Sequence, residues 1–227
     1  MDTTTAYDNT RLRMIEIARA LPESDGDLQV GCCPEWTVRQ LLSHAVGATA
    51  DILSGNLEGA GSDPWTQKQV DDREGLSIAE LCDEWDQSGP QLVEAIPAGL
   101  LPAQAVFDIV THEHDLRHAV GQPGAQGDEA VPIGLGFVVE VWPLVMSSYD
   151  IPPLRIEAAD AELVAGEDPE ITLPLRPFEA LRSLTGRRSL DQVRAYRWGI
   201  DPDPWIPAFT WGPFVPSPVD LVEPVSP

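Results

Sequence analysis

The chain has 227 residues, of which 43% are hydrophobic, and its formal net charge is −23 at pH 7. This composition allows a packed core, while the acidic excess argues against binding nucleic acid or an anionic membrane surface, because both need clustered lysine and arginine. No apolar run approaches the ~18 residues of a membrane span. The N-terminus does not have the pattern of a secretory signal, so we predict a soluble, cytoplasmic protein.

The first half of the chain is predicted to be helical. Apolar residues recur at helical spacing over residues 8–21, 37–53, 77–96 and 102–120, with a shorter helix near residues 65–73. Thr37 and Ser77 are typical N-cap residues, and Gly121 is a typical helix stop. Four main helices with one longer connection predict a four-helix bundle over residues 1–122.

The second half has a different pattern after the linker-like segment GQPGAQGD, residues 121–128. Alternating residues predict strands over 154–158 and 170–175. Helices are predicted over 133–146, 177–184 and 189–196, followed after Trp198 by an extended tail rich in proline and tryptophan. We therefore predict a small α+β domain over residues 123–227, and an α+β fold for the whole chain.

Histidines and carboxylates are concentrated in the fourth predicted helix. This helix contains His112, His114 and His118, and Asp108 precedes His112 by four residues, which places the pair on one face. On a helical wheel this pair borders the apolar face, and His44 occupies a similar position on the second helix. Two imidazoles and one carboxylate suit Zn²⁺ and leave a coordination position open, as in catalytic sites.

The same residues allow two further interpretations. His114 and His118 have the same four-residue spacing and form a rival metal pair. A surface ion pair, such as Asp115 with His118, would account for the pattern without a metal. The adjacent Cys32 and Cys33 lack the spacing of a CxxC motif, and we interpret them as packing residues.

Three segments resemble the mycothiol-dependent maleylpyruvate isomerase family, an actinobacterial branch of the DinB-like metal-binding four-helix bundles. CPEWTVRQLLSH at residues 33–44 resembles the family's entry motif, and FDIVTHEHDLR at residues 107–117 resembles its second motif. PFEALRSLTGRRS at residues 177–189 is similar to a segment of the family's C-terminal domain. The resemblance follows the family's order along most of the chain, and it implies that His44, Asp108 and His112 are metal ligands.

Members of this family bind a divalent metal, usually zinc, and use mycothiol as cofactor in cis–trans isomerisation or as co-substrate in S-transfer. A metal lowers the pKa of a bound thiol and favours the nucleophilic thiolate. The family pattern has Glu where this chain has Asp108, one methylene shorter, so the resemblance does not extend to maleylpyruvate itself. We predict a metal-dependent, mycothiol-using enzyme, either an isomerase or an S-transferase. Its partners would be a low-molecular-weight thiol and a small electrophile, and it would be a monomer or homodimer.

Five further residues are candidates for supporting or binding roles at the site. Asp115 is placed to accept a hydrogen bond from an imidazole N–H, and Arg117 is a candidate contact for an anionic substrate. Arg182, Arg187 and Arg188 form a positive cluster that would bind the thiol or a substrate carboxylate, or pair between domains. Two alternatives are a non-catalytic metal- or ligand-binding bundle and a metal-dependent hydrolase that uses no thiol, with Asp115 as its general base.

Overall fold

A computed structural model describes residues 1–224, which form two compact units. The first unit comprises Met1–Gly124 together with residues 223 and 224, and the second comprises Ala125–Val222. The α-helices described in the first unit are α1 (Thr3–Ala20), α2 (Val38–Ser54), α3 (Asp63–Asp71), α4 (Ile78–Ala95) and α5 (Ala103–Ala119). A short 3₁₀ helix, Glu23–Asp27, follows α1.

The helix boundaries follow from capping. Thr37 and Ser77 each form a capping box, with Gln40 and Glu80 respectively, which confirms the predicted starts of α2 and α4. The first helix begins five residues earlier than predicted. Its N-cap is Asp2, whose side chain accepts a hydrogen bond from the backbone N–H of Thr5.

Helices α1, α2, α4 and α5 form the bundle, in which α1 contacts α4 and α5, and α2 contacts α4 and α5. The additional helix α3 packs along α2. A buried hydrogen-bonded group joins three of the helices, since Thr49 Oγ1 lies 2.7 Å from both the Tyr7 hydroxyl and Trp85 Nε1. Helix α5 is buried on nearly every side between Val106 and Leu116, so most of its polar side chains lie inside the bundle.

The second unit is a small α+β structure. Its elements are α6 (Ala130–Met146), β1 (Leu154–Ala158), β2 (Ala161–Ala165), β3 (Ile171–Leu175), α7 (Pro177–Leu184) and α8 (Leu190–Arg194). The strand order is β2-β1-β3, with β1 antiparallel to β2 and parallel to β3. Helix α6 packs against β2 and α7.

The sequence predicted β1 and β3 but missed β2. The turn between β1 and β2 contains Ala159, whose φ is 53°, and Asp160, rather than the Asn-Gly or Asp-Gly pair that marks such hairpins. The tail also departs from the prediction, because a 3₁₀ helix spans Asp203–Phe209 where extended chain was expected.

The predicted α+β class is confirmed, with a helical first unit and a three-stranded sheet in the second. Across residues 1–224, none of the helices combines the length and the apolarity needed to cross a bilayer.

Candidate metal centre

Helices α2 and α5 bring the three predicted ligands together. His44 Nε2 lies 3.5 Å, and His112 Nε2 lies 3.6 Å, from Asp108 Oδ1. The two imidazole centroids are 4.9 Å apart. One ligand atom from each residue lies within 4.8 Å of the others.

This donor set fits a small divalent cation. Donors bound tetrahedrally at about 2.0–2.1 Å lie about 3.3–3.4 Å from one another, close to the separations measured to Asp108. His44 is 2% exposed, yet its Nε2 makes no hydrogen bond to any described residue. A buried polar atom without a hydrogen bond is costly unless something binds there. The Asp108 side chain is 37% exposed, so the group is accessible from one side.

A hydrogen-bonded chain orients His44 from behind. Its Nδ1 lies 2.7 Å from Gln69 Oε1, and Gln69 Nε2 in turn donates to Asp51 Oδ2 at 2.7 Å. The Asp51 carboxylate accepts a hydrogen bond from the Gln69 side-chain amide N–H. The Gln69 Oε1 must therefore face His44 and accept a hydrogen bond from its Nδ1–H. This arrangement leaves a lone pair on Nε2, directed at the centre.

A buried carboxylate lies behind the ring of His112. Its Nδ1 lies 3.2 Å from Asp115 Oδ2, close enough for an ion pair although not aligned as an ordinary hydrogen bond. Asp115 is fully buried, and its Oδ2 also lies 3.4 Å from the Cys33 Sγ, which donates to it. Cys33, His112 and Asp115 form a second group whose possible ligand atoms lie within 4.8 Å of one another.

Indole rings border the two imidazoles. The Trp36 ring centroid lies 5.1 Å from that of His44 and 5.7 Å from that of His112. The Trp65 ring is nearly perpendicular to that of His44, with the two centroids 6.5 Å apart. Apolar ring surface therefore lies beside both imidazoles.

The charge of Asp108 controls the protonation of His44. Burial acts to lower the pKa of His44, but the negative charge of the neighbouring Asp108 carboxylate and the hydrogen bond to Gln69 outweigh it, so the pKa is raised. Only neutral imidazole binds a metal, so a cation at this position competes with that proton.

Arg117 and the rival histidine pair lie elsewhere on α5. The Arg117 guanidinium donates to Glu113 Oε1 at 2.9 and 3.0 Å and to the Pro123 carbonyl oxygen at 3.0 Å. Within the described chain, no third ligand-type residue joins His114 and His118 in a metal-sized group. A contact between Arg117 and substrate stays a prediction.

The three arginines of the predicted positive cluster are buried in the second unit. Arg188 forms an ion pair with Glu179, with Nε to Oε2 at 3.0 Å, and donates to the carbonyl oxygen of Arg187. Arg187 donates to the carbonyl oxygen of Thr185 at 2.6 Å, and Arg182 is fully buried. The contacts of Arg187 and Arg188 are those of structural residues, and binding of the thiol by this cluster stays a prediction.

Sequence reasoning missed two of the supporting side chains. Cys33 was interpreted as a packing residue, but its thiol reaches the carboxylate behind His112. Gln69 lies in a short polar helix, and no spacing rule links it to His44. The available signal for Cys33 was its position three residues before Trp36, in the segment that resembles the family's entry motif.

Comparison with known proteins supports the family resemblance found in the sequence. Residues 9–117 match the family model for the mycothiol maleylpyruvate isomerase N-terminal domain, whereas no curated protein sequence matches the chain. Crystal structures of the mycothiol-dependent maleylpyruvate isomerase and of a histidine-to-alanine variant of it are similar to this chain, each with a TM-score of 0.54. Their identities are 14% and 13%, and each match covers 81% of this chain and 88% of the solved one, a likeness that shows the fold alone. The resemblance found in the sequence is confirmed by this match, since residues 9–117 correspond to the N-terminal domain of the mycothiol maleylpyruvate isomerase family.

Proposed function

We propose that this protein is a metal-dependent enzyme that uses mycothiol to isomerise, or to transfer sulfur to, a small electrophile. The observation that carries the proposal is the convergence of His44, Asp108 and His112 within a domain of this family. The solved relative of similar fold is a mycothiol-dependent maleylpyruvate isomerase. A cytoplasmic location and a monomeric or homodimeric state belong to the same proposal.

The protein's part in this chemistry is to hold and orient donors. Gln69 keeps the proton of His44 on Nδ1, and Asp115 can do the same for His112, so both Nε2 atoms are available as ligands. Asp108 supplies the carboxylate and one negative charge. A divalent metal held by these residues, such as zinc, would lower the pKa of a thiol bound to it.

The surroundings favour a reactive thiol at this position. Trp36 and Trp65 border the imidazoles, so electrostatic interactions there are stronger than in bulk water. The exposed edge at Asp108 is the side from which a thiol and an electrophile would approach. We assign the electrophile only by class: it has an activated double bond for isomerisation, or a leaving group for S-transfer.

The test is turnover by the purified, metal-loaded protein with mycothiol. The panel pairs maleylpyruvate, for isomerisation, with electrophiles that carry a leaving group, for S-transfer. We expect turnover with at least one class that requires the thiol, stops after treatment with a chelator and is lost in His112→Ala. If turnover is the same with and without mycothiol, the proposal is contradicted and a metal-dependent hydrolase is favoured. Metal binding with no turnover on any substrate would favour a binding protein.

A further inference from the structure

The segment before α2 holds Cys33 in a fixed position. The Cys33 N–H donates to the Val30 carbonyl, and the Cys33 carbonyl accepts from the Trp36 N–H, both at 2.9 Å. Val30 N–H in turn donates to the Trp36 carbonyl at 2.9 Å. The loop is therefore closed on itself by backbone hydrogen bonds, and the same loop supplies the indole beside both imidazoles.

The Cys33 thiol lies at the end of a polar chain that leads to a proposed ligand. Its Sγ lies 3.4 Å from Asp115 Oδ2, and the same oxygen lies 3.2 Å from His112 Nδ1. Asp115 has no solvent exposure, so it depends on protein donors to keep its carboxylate in place. The thiol is one such donor, and His112 Nδ1 lies close enough to the same oxygen to interact with it electrostatically.

The orientation of His112 decides between two roles for Cys33. His112 directs Nε2 towards Asp108, at 3.6 Å, and Nδ1 towards Asp115. If Cys33 were itself a ligand beside Asp115, the metal would have to bind Nδ1, on the opposite side of the ring from Asp108 and His44. The distances from Asp108 Oδ1 to the Nε2 atoms of His44 and His112 suit metal binding through Nε2. Cys33 and Asp115 therefore lie on the opposite side of the His112 ring, where they support the ligand rather than bind the metal.

We propose that Cys33 is a positioning residue: its S–H holds the Asp115 carboxylate, which in turn fixes the His112 ring for metal binding. This inference rests on the proposed metal site. Carboxylates that accept the second N–H of a ligating histidine set its tautomer and orientation, and their loss typically weakens metal binding about 10–100-fold. A thiol one step further out has a smaller effect, about 3–10-fold.

The test is a double-mutant cycle on the dissociation constant of Co²⁺, which can be followed by absorption. We expect Cys33→Ala to weaken binding about 3–10-fold and Asp115→Asn about 10–100-fold. The double variant should bind no more weakly than Asp115→Asn alone, because Cys33 acts through Asp115. Cys33→Ser keeps an O–H donor and should remain within about 2-fold of the wild type. Cys32→Ala, the neighbouring thiol, is the matched control and should leave the constant unchanged.

Several results would overturn this role. Wild-type Co²⁺ affinity in Cys33→Ala would show that the thiol has no such role. If the double variant loses affinity by the product of the two single losses, Cys33 and Asp115 act independently. A thiolate-to-cobalt charge-transfer band that disappears in both Cys33 variants would make Cys33 a direct ligand. If circular dichroism shows that Asp115→Asn does not fold, the comparison of Co²⁺ affinity between Cys33→Ala and Cys33→Ser still tests whether a donor at position 33 is needed. Absence of Co²⁺ binding by the wild type would instead refute the metal site on which this inference rests.

Discussion

At the scale of single residues, each imidazole of the proposed metal centre has a polar partner at the ring nitrogen that faces away from the proposed metal. His44 uses Gln69, which belongs to α3, and His112 uses Asp115, one helical turn further along α5. An imidazole that is free to rotate, or that carries its proton on Nε2, is a poor ligand. We therefore expect the supporting residues to contribute to metal affinity without contacting the metal.

Replacing Gln69 with leucine should weaken metal binding about 10–100-fold. The change keeps a side chain of similar size but removes the oxygen that accepts from His44 Nδ1. The dissociation constant for Zn²⁺, measured by competition with a chromophoric chelator, checks this. Gln67→Leu is the matched control, because Gln67 is exposed on the same helix and bonds to Asp71. Equal affinities in the two variants would show that Gln69 has no such role.

A second residue-scale prediction concerns the buried ion cluster around Glu113. This fully buried carboxylate binds Arg13 of α1 at 2.7 Å and Arg117 at 2.9 Å. Glu113→Gln leaves two guanidinium groups without their carboxylate and should lower the free energy of unfolding by about 2–4 kcal/mol. Urea denaturation measures this change, with the exposed Glu94→Gln as control. A loss below about 0.5 kcal/mol would mean that solvent replaces the carboxylate.

The same contacts show which site residues a sequence can predict. Asp108 and His112 share a helix at a spacing of four, so local geometry alone places them on one face. Gln69 and Cys33 lie 25 and 82 positions from their partners, and no periodic pattern connects residues at such separations. The helical wheel made His44 a candidate third ligand, and the family resemblance added the long-range information that spacing lacks.

At the scale of elements, the close approach of α2 and α3 positions Gln69. A Cβ built at Gly47 of α2 would lie 2.5 Å from the Gln69 Cβ. Gly47→Ala should therefore push α3 outward, lower the free energy of unfolding by about 1–3 kcal/mol and weaken the contact between Gln69 and His44. We expect Zn²⁺ affinity to fall about 10-fold as a result.

Gly136→Ala is the matched control for this substitution. Gly136 also lies within a helix, but nothing lies within 4 Å of the position of its added Cβ. Alanine there should stabilise the protein by about 0.5–1 kcal/mol and leave metal affinity unchanged. If Gly47→Ala behaves like Gly136→Ala in both measurements, the spacing of α2 and α3 does not control the site.

Helix α5 shows where reasoning from helical patterns fails. On a helical wheel, Glu113 and Arg117 lie on the far side of this helix from Asp108 and His112. In the structure α5 is buried nearly all round, and Arg13 of α1 neutralises Glu113. Periodicity cannot reveal a charge whose partner belongs to another helix, so the inner position of this ion pair was not predicted.

At the scale of the whole molecule, the net charge of −23 produces a negative electrostatic field that acts on charged molecules approaching the proposed site. Arg11, Arg182, Arg187 and Arg188 are buried, which leaves fewer positive charges at the surface to offset the acidic residues. The field should repel anionic substrates, and salt screens it as the Debye length falls from about 30 Å at 0.01 M to about 8 Å at 0.15 M. The KM of an anionic electrophile should therefore fall as salt is added, while that of a neutral electrophile stays constant. Parallel behaviour of the two substrates would contradict this effect.

The organisation of the chain was predictable in outline. Strong apolar periodicity and capping residues placed the bundle helices, and their order carried the family resemblance. The second unit was less predictable because its strands are five residues long and one turn lacks the usual residues. Short elements carry little periodic signal, and tertiary contacts decide their structure.

The most direct test of this account is the metal content of the purified protein and of two histidine variants. After the wild-type protein is loaded with Zn²⁺ and passed through gel filtration, we expect it to retain one equivalent of metal per chain. His112→Ala should lose this metal, and His118→Ala, from the rival pair on the same helix, should retain it. Wild-type protein without stoichiometric metal, or metal retained in His112→Ala and lost in His118→Ala, would contradict the site formed by His44, Asp108 and His112.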